Sequence, residues 1–177
     1  AQEFQVVSRI IIAAQALGTA QGAFERAIDY IKEREQFGRK IAQFQISWHK
    51  IAELATKIEQ ARLLTYFAAW DCDNNKKKDP KLAAMAKLSA SRTAVEAGAE
   101  AIQLFGGYGY MTEYEVERIY RDERINRIFE GTNEINRMLV PGMIMRKAMK
   151  GELPFLQAAM AVAEEMMTEI GSEEIMD

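Results

Sequence analysis

The first hydrophobic pattern of the chain repeats every three or four residues, which is the period of an amphipathic α-helix. It runs through the segment FQVVSRIIIAAQALGTAQGAFERAIDYI. We therefore predict one long helix from about Gln2 to Glu33. Within it Ala14, Gly18 and Gly22 are spaced by four, which predicts a strip of small residues that another helix can approach closely.

Two further long helices are predicted after this one. Beyond Gly38 and a short irregular segment, the helical period returns at Ile46 and continues to about Asp73. The stretch DNNKKKDP then combines turn-forming Asn and Asp with a proline that suits the first turn of a helix. A third helix is predicted from about Pro80 to Phe105, and its regularly spaced alanines predict a thin face for close packing.

Glycine and proline divide the rest of the bundle. Gly106 and Gly107 should interrupt the third helix, because glycine is a poor residue for a helix interior. A short helix is predicted from Glu113 to about Arg121, and a fourth long helix from near Thr132. Pro141 lies inside that fourth pattern and predicts a kink or a break.

No alternating strand pattern is visible, so the predicted fold class is all-α. We expect an antiparallel up-and-down four-helix bundle with extra short helices and a C-terminal helix. Residues 1–150 would form the bundle. Residues 151–177, with an amphipathic stretch from Phe155 to Ile170, would begin a truncated C-terminal helical extension.

Composition narrows the class of protein further. The 177 residues are 49% hydrophobic and 28% charged, which is typical of a soluble globular protein. The net charge of −3 gives no basic footprint, so no nucleic-acid partner is expected. One cysteine and one histidine exclude an intramolecular disulfide and give no cluster of metal ligands, so no metal site is expected.

The ends of the chain and its apolar runs bear on its cellular context. The longest aliphatic run, residues 10–14, is far shorter than the roughly 20 residues of a membrane-spanning helix. No transmembrane segment is therefore predicted. The chain opens with AQEF and lacks an initiator methionine, so we expect it to be a piece of a longer protein.

Three polar breaks that contain glycine are the candidate binding segments. They are REQFGRKIAQFQ at residues 34–45, QLFGGYG at residues 103–109 and EGTNE at residues 130–134. Irregular backbone in a helical protein offers free amide groups to a ligand. Turns alone would also explain the glycines of each segment, so the evidence lies in the three occurring together.

A basic stripe is a fourth candidate. Arg118, Arg121, Arg124 and Arg127 recur every three residues, and acidic residues, among them Glu123, interleave with them. We favour a surface of salt bridges over a site for an acidic partner such as a phosphate.

Glu130 is the candidate with the sharpest chemistry. It follows an apolar pair and directly precedes Gly131, where a new helix begins. The carboxylate could be an end charge stabilised by the helix dipole. The alternative, which the spacing alone supports less, is a general base, because an apolar environment favours proton uptake by a carboxylate. The residues alone leave both interpretations open.

Five short motifs occur in order along the chain and share a family resemblance. They are RxxFG at residues 34–38, FQ at 44–45, QxxGGxGY at 103–110, RD at 121–122 and FEGT at 129–132. Over residues 5–150 or so, the ordered set resembles the C-terminal helical domain of the acyl-CoA dehydrogenases. Each motif is weak alone, whereas their order and separation within a helical chain are specific.

The resemblance implies flavin chemistry at Glu130. Family members use FAD to oxidise an acyl-CoA thioester to the trans-2-enoyl-CoA in fatty-acid β-oxidation, and a glutamate removes the α-proton. By its match to the motif, Glu130 would be that base, while Gly131 and Arg9 would bind the substrate. Some relatives hold the base just before the arginine that matches Arg9, but Ser8 occupies that position here.

The resemblance also implies cofactor residues and partners. The FAD of a neighbouring subunit would be held by Arg34, Phe37 and Gln45 and by Gln103, Leu104, Phe105, Gly106 and Gly107. The subunit's own FAD would meet Thr132, Asn133 and Glu134 at a helix N-terminus. Sharing sites in this way implies a homodimer or homotetramer, with electron-transfer flavoprotein as the electron acceptor.

What the chain lacks limits what it can do alone. Family members also have an N-terminal helical domain and a middle β-domain, which are absent here, so the fragment should be inactive by itself. The family implies a cytoplasmic location in a bacterium and the mitochondrial matrix in a eukaryote. The tail resembles the very-long-chain branch. An acyl-CoA oxidase of the same fold and a non-catalytic helical interaction module remain the alternatives.

Overall fold

The computed structural model describes the backbone of residues 2–173 and the side chains of residues 3–167. Six α-helices account for most of it: α1 (Gln2–Glu33), α2 (Gln45–Asn74), α3 (Pro80–Phe105), α4 (Glu115–Arg124), α5 (Asn133–Met149) and α6 (Phe155–Glu173). Three short 3₁₀ helices connect them, at Ile41–Gln43, Gly106–Tyr110 and Ile125–Arg127. The predicted all-α class is confirmed.

Helix boundaries follow the local chemistry. The bounds of α1 and α3 are those predicted. At the start of α3, Pro80 is the first helical residue, and the Asp79 side chain before it accepts a hydrogen bond from the Lys81 N–H. Gly106, at φ +63°, ends α3 in a conformation that favours glycine. Of the kink or break predicted at Pro141, the break is wrong, since α5 continues through Pro141 as one helix, and the kink stays a prediction.

A small β-hairpin was not predicted. Two-residue strands, β1 (Glu35–Gln36) and β2 (Arg39–Lys40), pair antiparallel between α1 and α2. Phe37 (φ +56°) and Gly38 (φ +76°) turn the chain, and positive φ at both central residues is typical of tight hairpins. Strands this short have no hydrophobic period to detect.

The chain divides into two compact units, Ala1–Arg137 and Met138–Asp177. The predicted division at residue 150 concerns the domains of a longer protein and stays a prediction. In the C-terminal unit, α6 exposes its large apolar side chains: Phe155, Leu156, Met160, Val162, Met166 and Met167. Residues 174–177 of the predicted extension lie outside the described residues.

The core of the N-terminal unit is built on alanine. On α1 and α3 the buried face consists mainly of small side chains with at most 1% exposure: Ala13, Ala16, Ala20, Ala23 and Ala27, and Ala83, Ala86, Ala90, Ala94, Ala97 and Ala101. Small side chains let helix axes approach closely, and α1 packs more extensively on α3 than on any other element. Helices α2 and α4 pack against this pair.

The predicted small-residue strip lies on another side of α1. Ala14 and Gly18 are exposed, and no atom outside the helix backbone lies within 4 Å of a Cβ built on Gly18. The strip therefore does not form the close contact with α3. A spacing of four among small residues fits several faces of an alanine-rich helix, so spacing alone could not choose between them.

Across residues 2–173, no helix has both the length and the apolar character that crossing a membrane requires. The same part of the chain shows no group of three or more His, Cys, Asp or Glu side chains placed to hold a metal ion.

Gly109 tests the packing at the end of α3. A Cβ on Gly109 would lie 2.6 Å from the Ile102 carbonyl oxygen, whereas Gly107 has open space around it. We predict that Gly109→Ala lowers the free energy of unfolding by about 1–3 kcal/mol, because backbone must shift. Gly107→Ala should change it by less than about 0.5 kcal/mol. Urea unfolding measures both, and equal effects would contradict this packing.

Candidate functional site

A cleft of about 550 Å³ opens between the hairpin, the start of α2 and the end of α3. It gathers most of the predicted cofactor residues: Arg34, Phe37, Gln103, Leu104, Phe105, Gly106 and Gly107. Gln45 is exposed at the first position of α2 and does not line the cleft, although its neighbours Phe44 and Ile46 do.

Aromatic side chains form the walls of this cleft. The Tyr30 and Phe105 rings stack with centroids 3.9 Å apart, and the Arg34 guanidinium lies 5.1 Å from the centroid of the Tyr108 ring. In the part of the chain that the structure describes, no carboxylate forms an ion pair with Arg34. The guanidinium is therefore held by an aromatic face and free to bind an anion.

The sequence interpretation missed Tyr30, Phe44 and Tyr108 as parts of this cleft. Tyr108 lies inside the quoted QLFGGYG segment, so proximity to the glycines could have indicated it. Tyr30 precedes Arg34 by four residues and continues the helical period of α1, which made it indistinguishable from a core residue.

The second candidate region is the loop Glu130–Thr132, which we call the EGT loop. Glu130 has φ +53° and Gly131 has φ +90°, so two successive residues adopt left-handed backbone. Such conformations are uncommon for a residue with a Cβ and persist where surrounding contacts hold them. The Glu130 side chain is exposed, so the described residues do not enclose it in an apolar pocket.

Buried polar side chains hold the EGT loop. The Gly131 carbonyl accepts hydrogen bonds from Lys87 Nζ at 2.9 Å and from Asn136 Nδ2 at 3.1 Å. Lys87 Nζ also donates to Asn133 Oδ1 at 3.0 Å, and Asn133 Nδ2 donates to Ser91 Oγ at 3.0 Å. Lys87, Asn133 and Asn136 are fully buried. None of Lys87, Ser91 and Asn136 was predicted.

Arg9 lies against the same loop. A Cβ built on Gly131 would be 3.2 Å from Arg9 Nη2, so a larger residue would press on the guanidinium. Arg9 is only 5% exposed, and burial lowers its pKa while the charge of Glu130 opposes that change. Arg9, Glu130 and Gly131, predicted separately, are thus neighbours. Within the described residues, Arg9 Nε and Asn136 Oδ1 have no hydrogen-bond partner.

Lys87 adds a second buried cation beside the loop. Its pKa is lowered to about 8, mainly by burial and next by the nearby charge of Arg9, whereas the charges of Glu134 and Glu130 oppose the change. The ion pairs found among the described side chains do not include Lys87. Its contacts are therefore neutral oxygen atoms, and two of its three N–H groups are committed to them.

Helix α5 begins at the EGT loop. The Thr132 hydroxyl oxygen accepts from the Ile135 N–H at 3.2 Å, which is the arrangement of an N-cap. The Asn133 side chain is already bonded to Lys87 and Ser91, so it offers a ligand only its backbone. Glu134 is exposed, and a hydrogen bond from its own backbone N–H is the main cause that lowers its pKa.

The cleft and the EGT loop lie far apart. Arg9 and Arg34 are separated by nearly the whole of α1, about 35 Å at 1.5 Å per residue. The contacts agree, because Arg9 and Lys87 meet at the EGT loop while Tyr30 stacks on Phe105 at the other ends of α1 and α3. The two regions cannot contact one small group together.

Two of the four arginines in the stripe form the surface salt bridges that the sequence favoured. Arg118 pairs with Asp122 at 3.3 Å and Arg121 with Glu117 at 2.9 Å. Glu123 differs from the prediction, because it is buried and accepts from Asn126 Nδ2 at 2.7 Å. Burial raises the pKa of Glu123.

Comparison with known proteins identifies the domain. Residues 1–145 match the family described as acyl-CoA dehydrogenase, C-terminal domain. The chain is 50% identical over 141 residues to the caffeyl-CoA reductase–Etf complex subunit CarC of Acetobacterium woodii, covering 80% of this chain and 37% of that protein. It is 48% identical over 140 residues to the human mitochondrial short-chain specific acyl-CoA dehydrogenase, covering 79% of this chain and 34% of that protein.

A solved structure agrees with these relatives. The acyl-CoA dehydrogenase of Bacillus anthracis, complexed with FAD, superposes with a TM-score of 0.84 at 36% identity, covering 94% of this chain and 32% of that one. That coverage extends the likeness beyond residue 145. The chain spans about a third of the length of these proteins.

The lowered pKa of Lys87 should make the free energy of unfolding depend on pH. Its pKa is about 8 in the folded chain and near 10.5 when unfolded. Between these values the unfolded chain binds a proton that the folded chain has released, so the free energy of unfolding rises with pH. At about 1.4 kcal/mol per pKa unit, the full rise between these two pKa values is on the order of 3–4 kcal/mol. Urea unfolding of the wild type and Lys87→Met between about pH 7 and 11 measures it.

Subtracting the free energy of unfolding of Lys87→Met from that of the wild type at each pH removes the contribution of other groups that titrate in this range. Lys87→Met should lack the rise, whereas Lys81→Met, on the same helix, should retain it. Parallel curves for wild type and Lys87→Met would show that Lys87 keeps an ordinary proton affinity in its buried position.

Proposed function

Because the chain belongs to the acyl-CoA dehydrogenase family and forms its C-terminal domain, we propose that the whole protein dehydrogenates acyl-CoA to trans-2-enoyl-CoA. An N-terminal helical domain and a middle β-domain would precede this chain, and the 177 residues alone would be inactive. The observation on which the proposal mainly rests is the EGT loop, where Glu130 is held in left-handed backbone beside the buried Arg9.

Glu130 is proposed as the catalytic base. Its carboxylate is exposed, so a substrate can reach it, while the carbonyl of the next residue, Gly131, is hydrogen-bonded to the buried side chains of Lys87 and Asn136. It would take the α-proton of the acyl thioester. Arg9 would stabilise the Glu130 carboxylate before the proton is taken, and Gly131, without a side chain, would leave room for the thioester.

The residues present fit FAD. When bound, FAD accepts the hydride that leaves the β-carbon of the substrate. In the cleft, the Arg34 guanidinium would bind the pyrophosphate, and the aromatic walls with Gly106 and Gly107 would receive the adenosine part. At the EGT loop, the first N–H groups of α5 would face the pyrophosphate of a second FAD.

Two FAD regions about 35 Å apart on one domain support a shared arrangement. The EGT loop would serve the subunit's own FAD, and the cleft would serve the FAD of a neighbouring subunit. A homodimer or homotetramer follows from this proposal, because each cofactor then needs two copies of the chain.

Electron-transfer flavoprotein is the proposed electron acceptor. One relative, CarC, is named as a subunit of a complex with Etf.

The proposed location is the cytoplasm in a bacterium or the mitochondrial matrix in a eukaryote, with fatty-acid β-oxidation as the pathway. The proposed likeness of the tail to the very-long-chain branch would favour long acyl chains.

Reduction of an enoyl-CoA is a second candidate direction. The 50% identity to a caffeyl-CoA reductase subunit favours it. The same residues would serve, because the base of the forward reaction is the acid of the reverse one. Glu130 would then deliver the α-proton instead of taking it.

Glu130→Gln in the whole protein tests the base. We predict that acyl-CoA bleaches the flavin absorbance of the wild type under anaerobic conditions and that the variant slows this by about 10²–10⁴-fold, the usual contribution of a general base. Titration with acyl chains of increasing length identifies the substrate. Glu113→Gln, which changes an exposed carboxylate in the turn before α4, should bleach like wild type.

The alternatives give different results in the same experiment. A non-catalytic interaction module leaves Glu130→Gln silent, and an oxidase produces hydrogen peroxide when air is admitted to the reduced protein. Bound FAD that no acyl-CoA bleaches would contradict the proposed reaction while leaving the fold assignment intact.

A further inference from the structure

A buried lysine connects the bundle core to the EGT loop. Lys87 lies in the second turn of α3 with no exposed surface. Lysine is almost never fully buried unless it is paired, and no ion pair of the described residues includes Lys87. The buried residues near it on α3 are mainly alanines, and its long side chain reaches the Gly131 carbonyl and Asn133 Oδ1.

We propose that Lys87 is a positioning residue for Glu130. By donating to the Gly131 carbonyl and to Asn133 Oδ1, it fixes the left-handed backbone of the EGT loop and therefore the direction in which the Glu130 carboxylate projects. The inference rests on the proposed role of Glu130 as the base.

The geometry of the loop explains why an anchor is needed. Glycine has little intrinsic preference for the φ of +90° that Gly131 adopts, and Glu130 at +53° is in a region disfavoured by its Cβ. Left free, this pair of residues would relax to other backbone conformations. Since the Cα–Cβ bond follows the backbone, that relaxation would turn the Glu130 carboxylate away from a substrate.

Two donors meet the Gly131 carbonyl, and they differ in what they connect. Asn136 lies in the first turn of α5, so its hydrogen bond ties the loop only to the helix that follows it. Lys87 lies on α3, whose alanine face packs on α1, and α1 also places Arg9 at the loop. Of these two hydrogen bonds, only the one from Lys87 fixes the EGT loop relative to the bundle core.

Asn133 links the start of α5 to a second turn of α3. Its Oδ1 accepts from Lys87, and its Nδ2 donates to Ser91 Oγ, four residues after Lys87. The start of α5 is thereby attached to two consecutive turns of α3. Lys87 contributes to both attachments, since it bonds the loop carbonyl and the Asn133 side chain with the same ammonium group.

The test uses the whole protein with its cofactor and three variants. Lys87→Met removes the donors at similar length, Lys87→Gln keeps a donor on a shorter neutral chain, and Lys81→Met is the control from the same helix. Two quantities are measured: kcat and KM for acyl-CoA, and the hydrogen-exchange rate of the backbone amides in residues 130–133.

We expect Lys87→Met to lower kcat by about 10–100-fold, the effect of a misplacement near 1 Å, with KM changed by less than about 3-fold. Exchange at residues 130–133 should become faster in the same variant. Lys87→Gln should recover part of both effects, and Lys81→Met should match the wild type. A purely structural role would instead lower the yield of active protein and leave kcat per bound flavin unchanged.

Each contrary outcome overturns the proposal. Wild-type kcat in Lys87→Met, with or without faster exchange, means that Lys87 does not position the base. A lower kcat with unchanged exchange means that Lys87 acts through its charge. If Lys87→Met does not fold, Lys87→Gln decides by the same two criteria. If the wild type itself turns over no acyl-CoA, the proposed function fails, and exchange still shows separately whether Lys87 holds the loop.

Discussion

The close contact between α1 and α3 is the constraint on which the structure depends. Alanines on both helices are buried at the contact, so the two long helices act as one rigid pair. The pair carries residues of both candidate regions. At one end it brings Arg9 and Lys87 to the EGT loop, and at the other it carries Arg34 and the QLFGGYG segment to the cleft.

This arrangement explains why polar groups are buried in a small-residue core. A core of alanine leaves space for the long side chain of Lys87, but the ammonium group loses its hydration there, which lowers its pKa. The carbonyl of Gly131 and the amide of Asn133 replace part of the lost water contacts. The cost of burying the cation is thus coupled to the conformation of the loop that holds Glu130.

Local patterns predicted the helices well and the connections less well. Periodicity, Pro80 and Gly106 together defined α1 and α3, because each of these acts within a few residues. The hairpin at residues 35–40 was missed since two-residue strands carry no period. Pro141 was predicted to kink or break α5, and the break did not occur.

The candidate site residues also divide into those that local sequence patterns indicate and those that only the folded structure brings together. Glu130 and the glycine segments could be recognised from the sequence, because unusual residue types stand at helix ends. Lys87 could not, since a lone lysine in a helix is normally solvated and its partners are 44 and 46 residues away. The side chain of Asn133 is hydrogen-bonded to Lys87 and Ser91, while its place at a cofactor stays a prediction. Only the packing of α3 shows this.

The most direct test of the account is a crystal structure of the whole protein with FAD and an unreactive acyl-CoA analogue. The distance to measure joins the Glu130 carboxylate to the α-carbon of the bound thioester. We predict a distance of about 3–3.5 Å, the separation of reacting atoms in a near-attack geometry. A Glu130 carboxylate that faces solvent, with another base at the α-carbon, would contradict it.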